Sequence, residues 1–185
     1  MARTLILGQR RIEIGRALQT CMIQKGSYES TSVKDIARQA GLTTSLVHYY
    51  FNSKDKILFF ISDIALHEVS NQLDELLHLK NNEDRIVLLR ETLFDQEQNK
   101  FILMLYTLSL SMPEIKEMII RHRNEQIEAI EAYFNRKTHF TGDPPKKAKE
   151  LLTLFEAILI QSALVQSDDI IPMIISIFEQ SSNCL

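Results

Sequence analysis

The stretch TSVKDIARQAGLTTSLVHYYFNSKDKIL, residues 31–58, decides the fold. Ser32 is a good N-cap, and Asp35 three positions later puts a carboxylate into the first turn of a helix. Val33, Ile36, Ala37 and Ala40 recur at the spacing of one helical face. Gly41 then supplies the position after the helix, where a left-handed backbone costs glycine least. Thr43 or Thr44 can cap a second short helix at once. Its Leu46 and Val47 are expected to point back into a small core, leaving Ser45, His48 and Tyr49 outward. Asn52 or Ser53 caps a third helix. Helix, tight turn and short helix in this order is the sequence form of a helix-turn-helix, whose second helix enters the major groove of DNA.

Working outward, the 185 residues allow one large or two small domains with a real core. The chain is 45% hydrophobic and 24% charged, with only five glycines and four prolines. No long stretch alternates with period two, so the chain is expected to be all-helical. The net charge of -3 is unevenly spread: residues 1–56 carry nine Lys/Arg against four Asp/Glu, and the remainder twelve against twenty. A basic head on an acidic body is the electrostatic footprint of a nucleic-acid binder, although a chance asymmetry would look the same in isolation. Cys21 falls on the inner face of the first helix and Cys184 near the end of the chain, and the two make no motif. With no signal peptide, they suggest a reducing cytoplasm. The apolar run Leu151 to Val165 is interrupted by Glu156 and Gln161 and is too short to span a bilayer. No G-x-S-x-G, P-loop, H-E-x-x-H or glycine-rich dinucleotide turn is present, so no catalytic residue, cofactor or metal is expected. His122, Glu125 and Glu128 share a helix face but read as solvated surface.

The run from Ala37 through Ile57 resembles the DNA-binding domain of the tetracycline-repressor (TetR) family. That family ends its second helix with Ala and Gly, its third with an aromatic cluster and Phe, and opens its fourth with Ser-Lys-acid-x-Leu/Ile. Ala37, Ala40, Gly41, Tyr50, Phe51, Ser53, Lys54, Asp55 and Ile57 match, and Ile14, Ala17, Met22 and Gly26 extend the match over the first helix. The linker Ser27 to Thr31 is one residue longer than the commonest family pattern. The resemblance implies DNA contacts from Thr44, Ser45, His48, Tyr49 and Tyr50, with Lys34 and Lys54 from the flanking helices and Thr43 mainly as a cap. Tyr50 and Lys54 are expected to hold phosphates. The third helix has no Arg or Asn for bidentate base readout, so base contacts are expected to be few and partly apolar or water-mediated.

Nine helices are expected. The first runs from about Gly8 to Lys25 after a frayed lead-in. The fourth, from Asn52 or Ser53 to Leu79, is about 40 Å long and reaches from the head into the second domain. The sixth, Lys100 to Ser111, is apolar almost all round and therefore buried. The seventh begins at Pro113. A loop spans Lys137 to Pro145, and the ninth helix, with Pro172 in its first turn, ends near Gln180. The expected division is a head of residues 1–52 and a helical effector-binding and dimerisation body of residues 53–185. The resemblance implies an effector pocket in the body, with His67, Phe101, Met104, Leu105, Leu108, Met112, His122 and Phe155 as candidates. Met suits adaptable pockets, but a Met and Phe stripe reads more readily as plain core. The scarcity of buried charge favours an apolar effector. Leu152, Phe155, Leu159 and Ala163 of the eighth helix, with Ile174 and Phe178 of the ninth, are expected to form a two-fold dimer interface.

These readings combine into a homodimeric, ligand-responsive transcription repressor on a palindromic operator with half-sites about 34–36 Å apart. It would act in the cytoplasm, independently of membranes. Two alternatives stay open: a DNA-binding protein of the same fold without a small effector, controlled by a partner or acting architecturally, and an enzyme using the helical body.

Overall fold

The computed structural model describes residues 2–136 and 142–164. These residues form eight helices: α1 (Ala2–Lys25), α2 (Val33–Gln39), α3 (Thr44–Tyr50), α4 (Lys54–His78), α5 (Asn82–Phe94), α6 (Gln96–Leu108), α7 (Pro113–Asn135) and α8 (Pro144–Leu164). The expected ninth helix lies outside the described residues, as does Cys184. No described helix is long and apolar enough to cross a membrane.

The caps of the head close as their residue types require. The Ser32 hydroxyl accepts from the Asp35 N–H at 3.2 Å, and the Asp35 carboxylate accepts from the Ser32 N–H at 3.0 Å, completing a capping box around α2. At the other end Gly41 takes φ +65°. This allows the Leu42 N–H to reach the Ala37 carbonyl at 2.8 Å and the Gly41 N–H to reach Arg38 at 3.2 Å, a Schellman closure. Thr43 caps α3 through its hydroxyl, which accepts from the Leu46 N–H at 3.2 Å. Ile14, Leu18, Met22, Ile36, Val47, Phe51, Ile57 and Leu58 fill the core beneath.

α4 joins head to body. Ile57, Leu58, Ile61, Ala65, Val69, Leu73, Leu76 and Leu77 repeat at helical spacing along its buried side. Ser53 caps its start, where the expected boundary between residues 1–52 and 53–185 falls, yet one continuous buried cluster runs from Ile14 in α1 to Leu159 in α8. α7 and α8 pack on the far part of α4 and on each other, with α6 beside them.

Three bounds differ from the sequence reading. α1 begins at Ala2 rather than near Gly8. α6 begins at Gln96 rather than Lys100: Asp95 accepts from the Gln98 N–H at 3.0 Å, so the polar segment becomes a cap and first turn instead of a gap. It also ends at Leu108, leaving Leu110, 88% exposed, in the turn beyond.

α1 lies against α4 at Gly15, where an added Cβ would sit 3.0 Å from the Ile61 Cβ, whereas Gly8 faces open space. Gly15→Val is therefore expected to destabilise the protein by about 1–3 kcal/mol through overpacking. Gly8→Ala should stabilise it by up to about 1 kcal/mol through helix propensity. Urea denaturation of both variants checks the contrast.

Candidate nucleic-acid interface and inner cavity

α3 buries one side chain completely, Val47, and presents the rest. Thr44, Ser45 and His48 are exposed, and Tyr49 is 68% exposed with its ring 5.3 Å edge-on from that of the half-buried Tyr50. Lys34 is exposed on α2. The structure thus brings Lys34, Thr44, Ser45, His48 and Tyr49 to one displayed head. Thr43 is exposed too, but its hydroxyl is engaged as the α3 cap.

Two expectations about the head are corrected. Leu46 does not turn into the core: it is 38% exposed at the edge of the α3 face, because Val47 alone fills the space under so short a helix. Lys54 is not a free phosphate-binding hand. Its Nζ donates to the Tyr28 and Thr31 carbonyls, both at 2.9 Å, and stands 3.8 Å above the Tyr28 ring. Burial lowers the Lys54 pKa. The Tyr28 hydroxyl in turn donates to Asp55, and burial first, then that bond, pushes its pKa well above the usual phenol range. Lys54 and Tyr28 together pin the linker, residues 27–31, onto the start of α4.

Asp35 is a second knot. Beyond closing the capping box, it accepts from Lys25 at 2.5 Å and Arg38 at 2.9 Å. The Lys25 hydrogen bond, then those from Ser32, hold its carboxyl well below the ordinary carboxylate range.

In the body, a cavity of about 20 Å³ lies between α4, α6, α7 and α8, room for about one water. His122 and Phe155 of the expected effector residues line it. The others do not: Phe101 and Leu105 are fully buried core, Leu108 is buried, Met104 and Met112 are half-buried against the core, and His67 is exposed. Their apolar character is taken up by packing between helices.

Apart from His122, the polar lining that converges is not among the expected effector residues. Arg123 donates from Nε to both Glu156 oxygens, at 2.9 and 3.2 Å, and the Tyr106 hydroxyl donates to Glu156 at 3.2 Å. Burial raises the pKa of both Glu156 and Tyr106. Asn99 Nδ2 reaches the Ser162 hydroxyl at 3.0 Å, and Gln126 Nε2 reaches that of Ser70 at 3.1 Å. The available signal was Glu156 itself, a charge interrupting an otherwise apolar helix. Among the described residues, no group of three or more His, Cys, Asp or Glu side chains is placed to hold a metal ion.

The α8 residues expected at a dimer interface lie on the inner face of that helix. Leu152, Phe155, Leu159 and Ala163 are all buried within the chain's own core. The outward side of α8 carries Leu154 (38% exposed), Ile160 (36%) and Leu164 (70%) instead. A helix packed on α6 and α7 turns its most apolar face inward, and the weaker second stripe is what remains. Ile174 and Phe178 lie outside the described residues.

Fold and surface define a class: a helix-turn-helix protein with a basic head and a helical body. Residues 20–59 match the family model described as "Bacterial regulatory proteins, tetR family". The HTH-type transcriptional regulator HbdR of Aromatoleum sp. (strain CIB) is 32% identical over 77 residues, 40% of this chain and 33% of that protein. PksA of Bacillus subtilis (strain 168), also an HTH-type transcriptional regulator, is 26% identical over 68 residues, 37% of this chain and 33% of its own. The match thus spans about a third of the length of these curated relatives. A TetR transcription regulator from Haloarcula marismortui ATCC 43049 superposes with a TM-score of 0.75 at 16% identity, covering 96% of this chain and 98% of the other. Salmonella enterica GusR does so with 0.71 at 19% identity, covering 95% and 96%. Residues 20–59 thus match the TetR-family model, and the fold of the whole is that of these solved regulators.

The carboxyl of Asp35 sits lower in the folded than in the unfolded chain, so its stabilisation is present above about pH 4 and is lost as pH falls further. Asp35→Asn is therefore expected to be less stable than the parent at pH 7, with the gap narrowing below about pH 4. Thermal melts across that range check the trend.

Proposed function

We propose that this chain is a DNA-binding transcriptional regulator that acts as a homodimer, represses from a palindromic site, and is released by a small effector taken up in its body. The displayed face of α3 carries the reading. Thr44, Ser45, His48 and Tyr49 stand exposed together on the basic head, with Leu46 at their edge. Thr44 and Ser45 suit phosphates or base edges, His48 and Tyr49 base edges, and Leu46 a thymine methyl. Tyr50, half-buried, steadies Tyr49. Lys34 supplies an exposed cation beside the face, whereas Lys54 is held by two carbonyls. One such head reads only a few base pairs, and two-fold pairing doubles the contact. The outward stripe of Leu154, Ile160 and Leu164 is the described surface suited to that pairing. The head, residues 1–52, reads the DNA. The body pairs and senses, and α4 carries the signal between them by a shift between two populations of the dimer.

Support for an effector comes from the polar groups around the inner cavity. A protein of Saccharomonospora viridis assigned as a transcriptional regulator, which superposes with a TM-score of 0.71 at 20% identity, was solved in complex with choline. A cavity of only about 20 Å³ favours a second reading, control by a partner protein without a small ligand. Under the first reading the body opens as the ligand enters.

Fragments of the source genome retained by the protein give the operator for two tests. Tyr49→Ala should weaken binding by about 1–3 kcal/mol at unchanged stability, and Lys34→Ala should reduce the salt slope by about 1. Lys54→Ala should instead lower stability by about 1–3 kcal/mol. Loss of none of these variants' affinity for the operator would overturn the assignment of the face. For pairing, sedimentation should give a dimer at micromolar concentration, and Leu154→Glu with Leu164→Glu should give a monomer with weakened operator binding.

A further inference from the structure

The cavity in the body is closed by a clasp in which three helices meet on one carboxylate. Arg123 of α7 and Tyr106 of α6 both donate to Glu156 of α8. Donor and acceptor capacities there are unequal. A guanidinium has five N–H groups. In Arg123 the Nε proton is engaged by Glu156, and one Nη2 proton leans towards the Thr153 hydroxyl at 3.4 Å. Nη1 has no hydrogen bond among the described residues. Glu156 Oε1, by contrast, already accepts twice. His122, whose side chain is 6% exposed, lines the same space, and its Nδ1 has no hydrogen-bond partner, the Glu125 carboxylate being 3.5 Å away. With Nε2 donating to Asp63, Nδ1 of the neutral ring is an acceptor, so the unmatched donors of the site are those of Arg123. The inner wall is apolar: Leu66, Val69, Ile102 and Phe155. Arg123, 35% exposed, stands toward the outside.

We propose that the effector is a small organic acid, its carboxylate held by the free edge of Arg123 and its apolar body lodged among Leu66, Val69, Ile102 and Phe155. This rests on the reading that the body holds an effector, and names its chemical class. A carboxylate matches the planar guanidinium fork and supplies the missing acceptor. An ammonium ligand would have to displace Arg123 from Glu156 and then lie beside the guanidinium. A purely apolar ligand would shield the ion pair from water and give it no new partner. A ligand that draws Arg123 outward loosens the hold of α8 on α6 and α7. α7 is tied to α4 through His122 to Asp63 at 3.1 Å and Gln126 to Ser70 at 3.1 Å, so the same movement reaches the helix that carries the head.

The test uses the full chain and six probes matched in size: hexanoate, hexanamide and hexylamine, and benzoate, benzamide and benzylamine. Thermal shift and calorimetry are expected to show binding by at least one acid, with its amide and amine weaker by about tenfold or more. Arg123→Met should abolish acid binding, and Arg123→Lys, which keeps the charge and loses the fork, should weaken it by about tenfold. Glu156→Gln, which removes the competing carboxylate, should bind the acid at least as tightly as the parent. Circular dichroism confirms that each variant is folded. Preferred binding of an amine or amide, lost in Phe155→Trp, would overturn the acid class while leaving the effector cavity standing. Acid affinity unchanged in both Arg123 variants would overturn the class as well. A blank with all six probes would overturn the acid class and the effector reading together.

Discussion

The close approach of α1 to α4 governs how the rest of the molecule can work. Gly15 lets α1 come down onto Ile61, and no other residue type has so little to place between the two backbones. Arg16 pairs with Glu68 at 2.5 Å further along the same seam, and Arg11 lies 4.7 Å from the rings of both Phe51 and Phe60. The head is thereby packed on the first half of α4 rather than hung from its end. A rotation or tilt of α4 must carry the head with it, because packed interfaces change between discrete arrangements rather than stretching.

The same economy shapes the DNA-facing side. Positive charge in the head divides into structural and displayed parts. Lys54 holds the linker and Lys25 holds Asp35, so both reinforce the geometry of α2 and α3 rather than reach outward. Lys34 and the polar rim of α3 are left for the ligand. An ammonium that donates to two carbonyls contributes to the long-range field of the head but is a poor partner for a mobile phosphate. A basic head is thus a weaker guide to contacts than the positions of its individual nitrogens.

In the body, several polar side chains pair across helices. Asp63, Ser70, Tyr106, His122, Arg123, Gln126 and Glu156 connect α4, α6, α7 and α8 in one chain of contacts. Buried polar contacts of this kind are favourable only when satisfied, and they are costly to leave half-made. A ligand that replaces one partner is stabilising, and intrusion without replacement is not. That asymmetry sets the Arg123–Glu156–Tyr106 clasp apart from a body otherwise built from interchangeable apolar contacts.

Local chemistry along the chain by itself determined the helix-turn-helix. Ser32, Asp35, Gly41 and Thr43 act on neighbours within five residues, and their caps close as spacing alone requires. The periodic stripes of α4 and the proline at the start of α7 are local too, and they were equally legible. Tertiary structure decided which apolar stripe faced which partner. Leu46 and Val47 are neighbours of similar character, and only the depth of the head core separates them. α8 carries two apolar faces, and only the presence of α6 and α7 selects Leu152, Phe155 and Leu159 for the inside and Leu154 and Leu164 for the outside. The pairings of Lys54 with Tyr28 and Thr31, and of Arg123 with Glu156, join residues more than twenty positions apart. Hydrophobic burial is non-directional and hydrogen bonds act at about 3 Å, so composition and period set the helices, and only packing in three dimensions chooses the partners.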